Sequence, residues 1–103
     1  MPSILITQPA EYDLIDIEYY IYVDLCNPQA ANRIIDGIIK AIQGLETMPQ
    51  RHSLVNDDLL KSLETRTTTF ENYNIFYYYD EVKDSVHVLR VLYNKTDWKN
   101  MFM

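Results

Sequence analysis

Between residues 62 and 93 three extended segments follow one another with almost nothing between them: "SLETRTTTF" (62–70), "YNIFYYYD" (73–80) and "SVHVLRVLY" (85–93). Their connections, "EN" and "EVKD", are too short for a crossover. Threonine, aromatic and β-branched residues favour extended backbone, so the three segments form a meander of antiparallel hairpins. Side chains alternate along a strand. Strict alternation puts Val86, Val88, Arg90 and Leu92 on one face of the last strand and His87, Leu89, Val91 and Tyr93 on the other. In its neighbour, Ile75, Tyr77 and Tyr79 oppose Asn74, Phe76 and Tyr78. Such a sheet is apolar on both sides and has to be covered.

The cover lies upstream. "SILIT" (3–7) reads as a short strand, and "QPAEYDLIDIEYYIYVDL" (8–25) as a helix with Pro9 in its first turn and Glu11 where a helix N-terminus favours negative charge. Ala10, Leu14, Ile17, Ile21 and Leu25 recur at helical spacing, while Glu11, Asp13, Asp16 and Glu18 fall largely off that stripe and are expected to face water. "CNPQAANRIIDGIIKAIQGLETMP" (26–49) is a second helix, opened by Asn27 as N-cap and Pro28, with Ala31, Ile34, Ile35, Ile38, Ile42 and Leu45 on its buried face. About two residues separate the helices, which implies a helical hairpin. "QRHSLVNDDLLK" (50–61) is a polar loop with room for one helical turn. The tail "KTDWKNMF" (95–102) is expected to add a short helical element with Trp98 and Phe102 facing inward.

The expected fold is therefore α+β, in the order β-α-α-β-β-β with a short C-terminal helical element. A two-helix hairpin packs on one face of a mainly antiparallel four-stranded sheet, in a single domain over residues 1–103. Two helices cover only one face. The other is left as a partly exposed apolar surface rimmed with Tyr and Arg, the kind of patch that marks a partner site, and Arg90 is placed there. The alternative for Arg90 is a snorkelling side chain whose stem lies over Val88. The nine tyrosines divide in the same way between sheet packing and recognition.

Charge narrows the function. The net charge is −6, and the excess is in the first half: residues 1–50 carry Arg33 and Lys40 against seven acids. Nucleic-acid binders usually show a basic patch, so a simple RNA- or DNA-binding role is disfavoured. One cysteine, Cys26, excludes an internal disulfide framework, and no Cys or His spacing calls for a metal or a cofactor. No apolar run approaches the roughly 18 residues of a membrane span. The N-terminus lacks the pattern of a signal peptide, so a cytoplasmic location with no membrane partner is expected.

The stretches "ITQPAEYDLIDIEYYI", "NPQAANRIIDGIIKAIQGLETMPQR", the lone arginine of "SLETRTTTF", "NYNIFYYYD" and "VHVLRVLYNKTDW" occur in this order over nearly the whole chain. In this order they resemble the RelE/ParE superfamily of bacterial toxins from type II toxin–antitoxin modules. The resemblance implies a growth-arresting toxin held inactive by a cognate antitoxin, whose C-terminal segment wraps it and fills the uncovered apolar face. It implies one of two targets: RelE-like members cut messenger RNA in the ribosomal A site, and ParE-like members inhibit DNA gyrase without being nucleases. A degenerate toxin that only binds its antitoxin is a third reading.

Carried over by position, Arg66 and Arg90 match the family's arginines before the central strand and in the "RVL" strand, and Tyr93 stands where relatives place His or Tyr. Metal-independent RNA cleavage would use the two guanidinium groups against phosphorane charge and Tyr93 for proton transfer, which requires neighbouring cations to lower its pKa from about 10. Arg51, Lys61 and Lys95 are the substrate-binding candidates. The chain departs from many relatives in having Asn94, Lys95 and Thr96 where two basic residues follow "LY". His52 is a weaker substrate-contact candidate, and His87, on the Leu89 and Val91 face, reads as structural.

Overall fold

A computed structural model describes residues 1–97 of the chain. The expected tail element with Trp98 and Phe102 lies outside the described residues. The elements run β1 (Ser3–Ile6), α1 (Gln8–Tyr19) continuing into a π-helical turn (Tyr20–Asp24), α2 (Pro28–Gln43) with a 3-10 turn (Gly44–Glu46), α3 (Asp58–Ser62), β2 (Arg66–Phe70), β3 (Tyr73–Asp80) and β4 (Ser85–Tyr93). This is the expected architecture of a helical hairpin on a four-stranded sheet. The sheet order is β1-β4-β3-β2, antiparallel except where β1 runs parallel to β4.

Each helix starts for a local reason. The Asn27 side chain accepts the Ala30 N–H, and Pro28 occupies the first turn of α2, where its missing N–H leaves no bond unmade. Asp57 caps α3 in the same manner through the Leu60 N–H. Between the helices, Cys26 takes the left-handed conformation at φ 50°, which reverses the chain without a glycine.

The main core lies between the hairpin and the sheet. It joins Ala10 and Ile21 to Ala31, Ile34, Ile38, Ile42 and Leu45, and all of these to Ile75, Tyr77, Val86, Val88 and Val91. Gly37 lies where α2 crosses β2. A Cβ there would meet the Phe70 ring at 2.0 Å, so the absence of a side chain is what lets the ring dock on the helix.

Two expectations change. The alternation of β4 is broken by a bulge: Tyr77 pairs with Val88 but Phe76 with Arg90, leaving Leu89 as the extra residue. Val91 therefore joins Val86 and Val88 over the helices, and Leu92 packs with Phe76 on the opposite face. Sequence alternation had placed these two the other way round, because a bulge of one residue inverts every side chain beyond it. The second face, in turn, is not left wholly open. Residues 53–55 pair along the outer edge of β2, through Thr67 N–H to Ser53 O and Val55 N–H to Thr65 O. That pairing and α3 lay Val55 and Leu60 over Phe76 and Leu92 as a small second core. What remains open on this face is a hollow of about 550 Å³ lined by Leu59, Leu63, Tyr78, Leu89 and neighbouring residues of α3.

Candidate functional site

Parallel pairing of β1 stops at Ile6 opposite Val88, so from Leu89 onward the edge of β4 faces α1 instead of a strand. Three groups finish that edge. The Thr7 hydroxyl lies 2.7 Å from the Val88 carbonyl and 3.1 Å from that of Leu89. The Asp13 carboxylate accepts the Val91 N–H at 3.0 Å. The same carboxylate receives Arg90 through two parallel bonds, Nε to Oδ2 at 2.7 Å and an Nη to Oδ1 at 2.8 Å. The pair is nearly sealed, with 17% and 10% of the two side chains exposed. The bonds to Asp13 raise the Arg90 pKa above its already high ordinary value, against the opposing effect of burial. Asp13 was expected to face water. It is buried because it sits three residues after Ala10 and four before Ile17, on the inward face of α1, and that spacing was the available signal.

Arg66 lies elsewhere. It pairs in register with Tyr77 and donates to the His52 carbonyl at 2.7 Å. Arg51 donates to the His52 ring at 3.2 Å, and that ring meets Tyr77 edge-on at 6.3 Å. Burial, reinforced by Arg51, lowers the His52 pKa and so favours its neutral form. The Tyr77 hydroxyl donates to the Pro49 carbonyl and ties the 49–52 segment to the sheet, and burial keeps this phenol above the usual tyrosine range. The structure thus collects Arg51, His52 and Arg66 around Tyr77 as a small cationic surface. Tyr77, one of the tyrosines left between packing and recognition by the sequence, is fully buried in the sheet.

Tyr93 ends β4 opposite Tyr73, and their rings meet edge to face at 5.7 Å. Tyr73 and Tyr77 are four residues apart on β3. Tyr93 is therefore about 13 Å along and about 10 Å across the sheet from Arg66, at ~3.3 Å per residue and ~4.8 Å per strand. Arg66, Arg90 and Tyr93 are not brought together. Lys61 is exposed in the last turn of α3 and Lys95 in the turn beyond β4. His87 bonds Ser85 at 3.0 Å and packs at Tyr78 on the second face, a structural placement. Among the described residues no group of three or more Cys, His, Asp or Glu side chains converges as a metal site, and no helix is long and apolar enough to cross a membrane.

A surface that sequence spacing had not singled out is the outward side of α1. Tyr12, Ile15, Tyr19, Tyr22 and Val23 are each between 44% and 61% exposed. They form a stripe flanked by Glu11, Asp16 and Glu18, with no Lys or Arg before Arg33. α1 is apolar on two sides: Ala10, Ile21 and their neighbours face the core, and this second row faces solvent.

These elements, order and edges match a known pattern over nearly their whole length. The family model described as "ParE toxin of type II toxin-antitoxin system, parDE" matches residues 4–98. The chain belongs to the ParE toxin family. It is accordingly a toxin of the type II toxin–antitoxin class. Two solved structures carry the same fold. One, of the chromosomal ParDE toxin–antitoxin system of P. aeruginosa, superposes with a TM-score of 0.70 at 22% identity, covering 90% of this chain and 96% of that one. The other, the RelBE2 toxin–antitoxin complex of Mycobacterium tuberculosis, gives 0.65 at 21% identity, with 89% and 90% covered. A comparison with curated proteins gives no match. In this ParE-family chain Arg90 is clamped to α1 and Arg66 is bound to the 49–52 segment.

Proposed function

We propose that this ParE-family toxin arrests growth by binding its target, DNA gyrase, and not by cutting RNA. The observation that carries this reading is the dispersal of the three residues that cleavage would need. A general acid or base has to lie within hydrogen-bond reach of the reacting oxygens, with cationic charge at the same phosphate. Arg90 is instead bound by both oxygens of Asp13, and Tyr93 stands far from Arg66 against another tyrosine. The excess of acids speaks in the same direction, since a ribosomal site is strongly anionic.

The toxin is held inactive by a cognate antitoxin. Support comes from two apolar surfaces that the described residues leave open, the outward stripe of α1 and the hollow beside α3. An amphipathic antitoxin segment laid along α1 would bury Ile15, Tyr19 and Tyr22, the helix-in-groove mode.

The test is expression from an inducible promoter without antitoxin. The expected result is slowed growth, intact messenger RNA, a DNA-damage response, and inhibition of gyrase supercoiling by the purified protein. Codon-spaced cuts confined to translated messages would overturn the reading and restore the ribosome-dependent endoribonuclease with Arg66, Arg90 and Tyr93 as its centre.

A further inference from the structure

At the end of the sheet nearest the turn between α1 and α2, four side chains from distant parts of the chain enclose a pocket of about 500 Å³: Tyr20, Leu25, Tyr73 and Tyr93. Tyr20 comes from the π-helical turn, where the wider winding carries the chain from α1 toward the hairpin corner. Leu25 follows it. Tyr73 opens β3, and Tyr93 closes β4 directly opposite. The Tyr73 and Tyr93 rings are inclined at 69°, so they make a corner instead of a flat stack.

The lining of this pocket is aromatic and apolar and carries no charged side chain. Aromatic faces are electron-rich, and a cation over them is attracted by the ring quadrupole. Desolvation holds the Tyr73 phenol above its ordinary pKa, and Tyr93, Tyr20 and Glu71 push it the same way. Glu71 is paired with Arg33 at 2.5 Å, so the two charges offset each other. None of the three tyrosine hydroxyls is hydrogen-bonded among the described residues, so each remains able to accept an N–H. A pocket walled by three phenols and a leucine has no cationic group in its lining to hold an anion, and it has three ring quadrupoles for a positive head group.

We propose that Tyr20, Leu25, Tyr73 and Tyr93 form an aromatic cage that binds a small organic cation, a guanidinium or alkylammonium head. The site shares Tyr93 with the cleavage candidates and uses none of Arg51, Arg66 or Arg90. The head group can arrive on a basic side chain of a bound polypeptide or as a free molecule, and the chemistry of capture is common to both.

The test follows tyrosine ring resonances of the full chain by NMR. The ligands are the tripeptide Ac-Ala-Arg-Ala-NH2, its citrulline counterpart of equal shape and no charge, and the free ions guanidinium and tetramethylammonium. At least one cationic ligand is expected to shift the Tyr20, Tyr73 and Tyr93 rings, with an affinity about tenfold or more above that of the citrulline peptide. Tyr93→Leu and, separately, Tyr20→Leu should weaken it about as much. Both positions are well exposed, so the fold survives, and Tyr12→Leu, outside the pocket lining, should change nothing. A preference for the arginine peptide over the free ions assigns the cage to a polypeptide side chain, and equal or tighter binding of a free ion to a small cation. Equal affinity for arginine and citrulline, no shift of these rings with any ligand, or binding unchanged in both leucine variants would overturn the proposal.

Discussion

Arg90 was the residue on which most depended, and its role turns on one carboxylate. Asp13 accepts two bonds from it and a third from the Val91 N–H, so removing Asp13 takes two charge-assisted bonds from a nearly buried guanidinium and leaves an amide edge uncapped. Breaking a buried pair from one side costs about 3–5 kcal/mol. Asp13→Ala is expected to destabilise the protein toward the lower end of that range, read as a drop in the urea midpoint at unchanged slope. Replacing both partners by apolar residues should cost much less than the sum. At the other end of the hairpin, Tyr77→Phe keeps the ring and loses the bond to Pro49. About 1 kcal/mol of destabilisation is expected, with faster amide exchange over residues 49–52, where Arg51 and His52 sit. His52 sets a pH dependence. Burial and Arg51 lower its pKa below 6.5 in the folded chain, so the unfolded chain binds a proton more readily. Stability due to this group is complete above pH 6.5 and falls as pH drops through the unfolded and then the lowered folded value. The measurement is urea unfolding of wild type and His52→Gln across that window, and the slope difference should vanish in the variant. Asp13 escaped notice in the sequence because charge outranks position in a hydropathy pattern, although its spacing from Ala10 and Ile17 marked it as inward.

The elements differ in how plainly they announce themselves. α2 has one apolar face, a proline at its start and an asparagine cap, and each of these acts in the structure as local physics requires. Its glycine is the informative exception. In a solvent-facing turn Gly→Ala adds up to about 1 kcal/mol of helix propensity. Gly37→Ala should instead destabilise, because the new methyl meets the Phe70 ring at a distance no real contact adopts. Thermal unfolding decides the sign, and Phe70→Leu in the same chain should recover part of the loss. α1 is harder to read since both its sides are apolar, and a single stripe describes only the half that faces the sheet. On β4 the bulge at Leu89 has no residue signature. No glycine or proline marks it, and it arises where β1 ends and Thr7 and Asp13 take over the edge.

For the whole molecule, the apolar area left on the surface is the feature that demands a second chain. Tyr12, Ile15, Tyr19 and Tyr22 add nothing to the core, and a lone ParE toxin carrying them should gain stability from any partner that covers them. A ligand present at 100 times its dissociation constant adds about 2.7 kcal/mol. The cognate antitoxin should therefore raise the unfolding temperature of the toxin. The double variant Ile15→Glu, Tyr19→Glu should lose that gain while keeping the stability of the isolated protein, since both side chains point to solvent. Scanning calorimetry of the four combinations checks it. The layered plan, the number of strands, the antiparallel meander of the last three and the helical hairpin were determined by sequence alone, because they rest on short-range rules of period, cap and turn length, and the family was legible as a resemblance in the order of whole segments. Which side of β4 each residue takes beyond Leu89, the burial of Asp13 against Arg90, the cover given to the second face by residues 53–63 and the corner that unites Tyr20 with Tyr73 and Tyr93 were decided only by tertiary structure. Each of these joins groups distant along the chain, and no local pattern encodes the edge at which one strand stops and a helix side chain completes its neighbour.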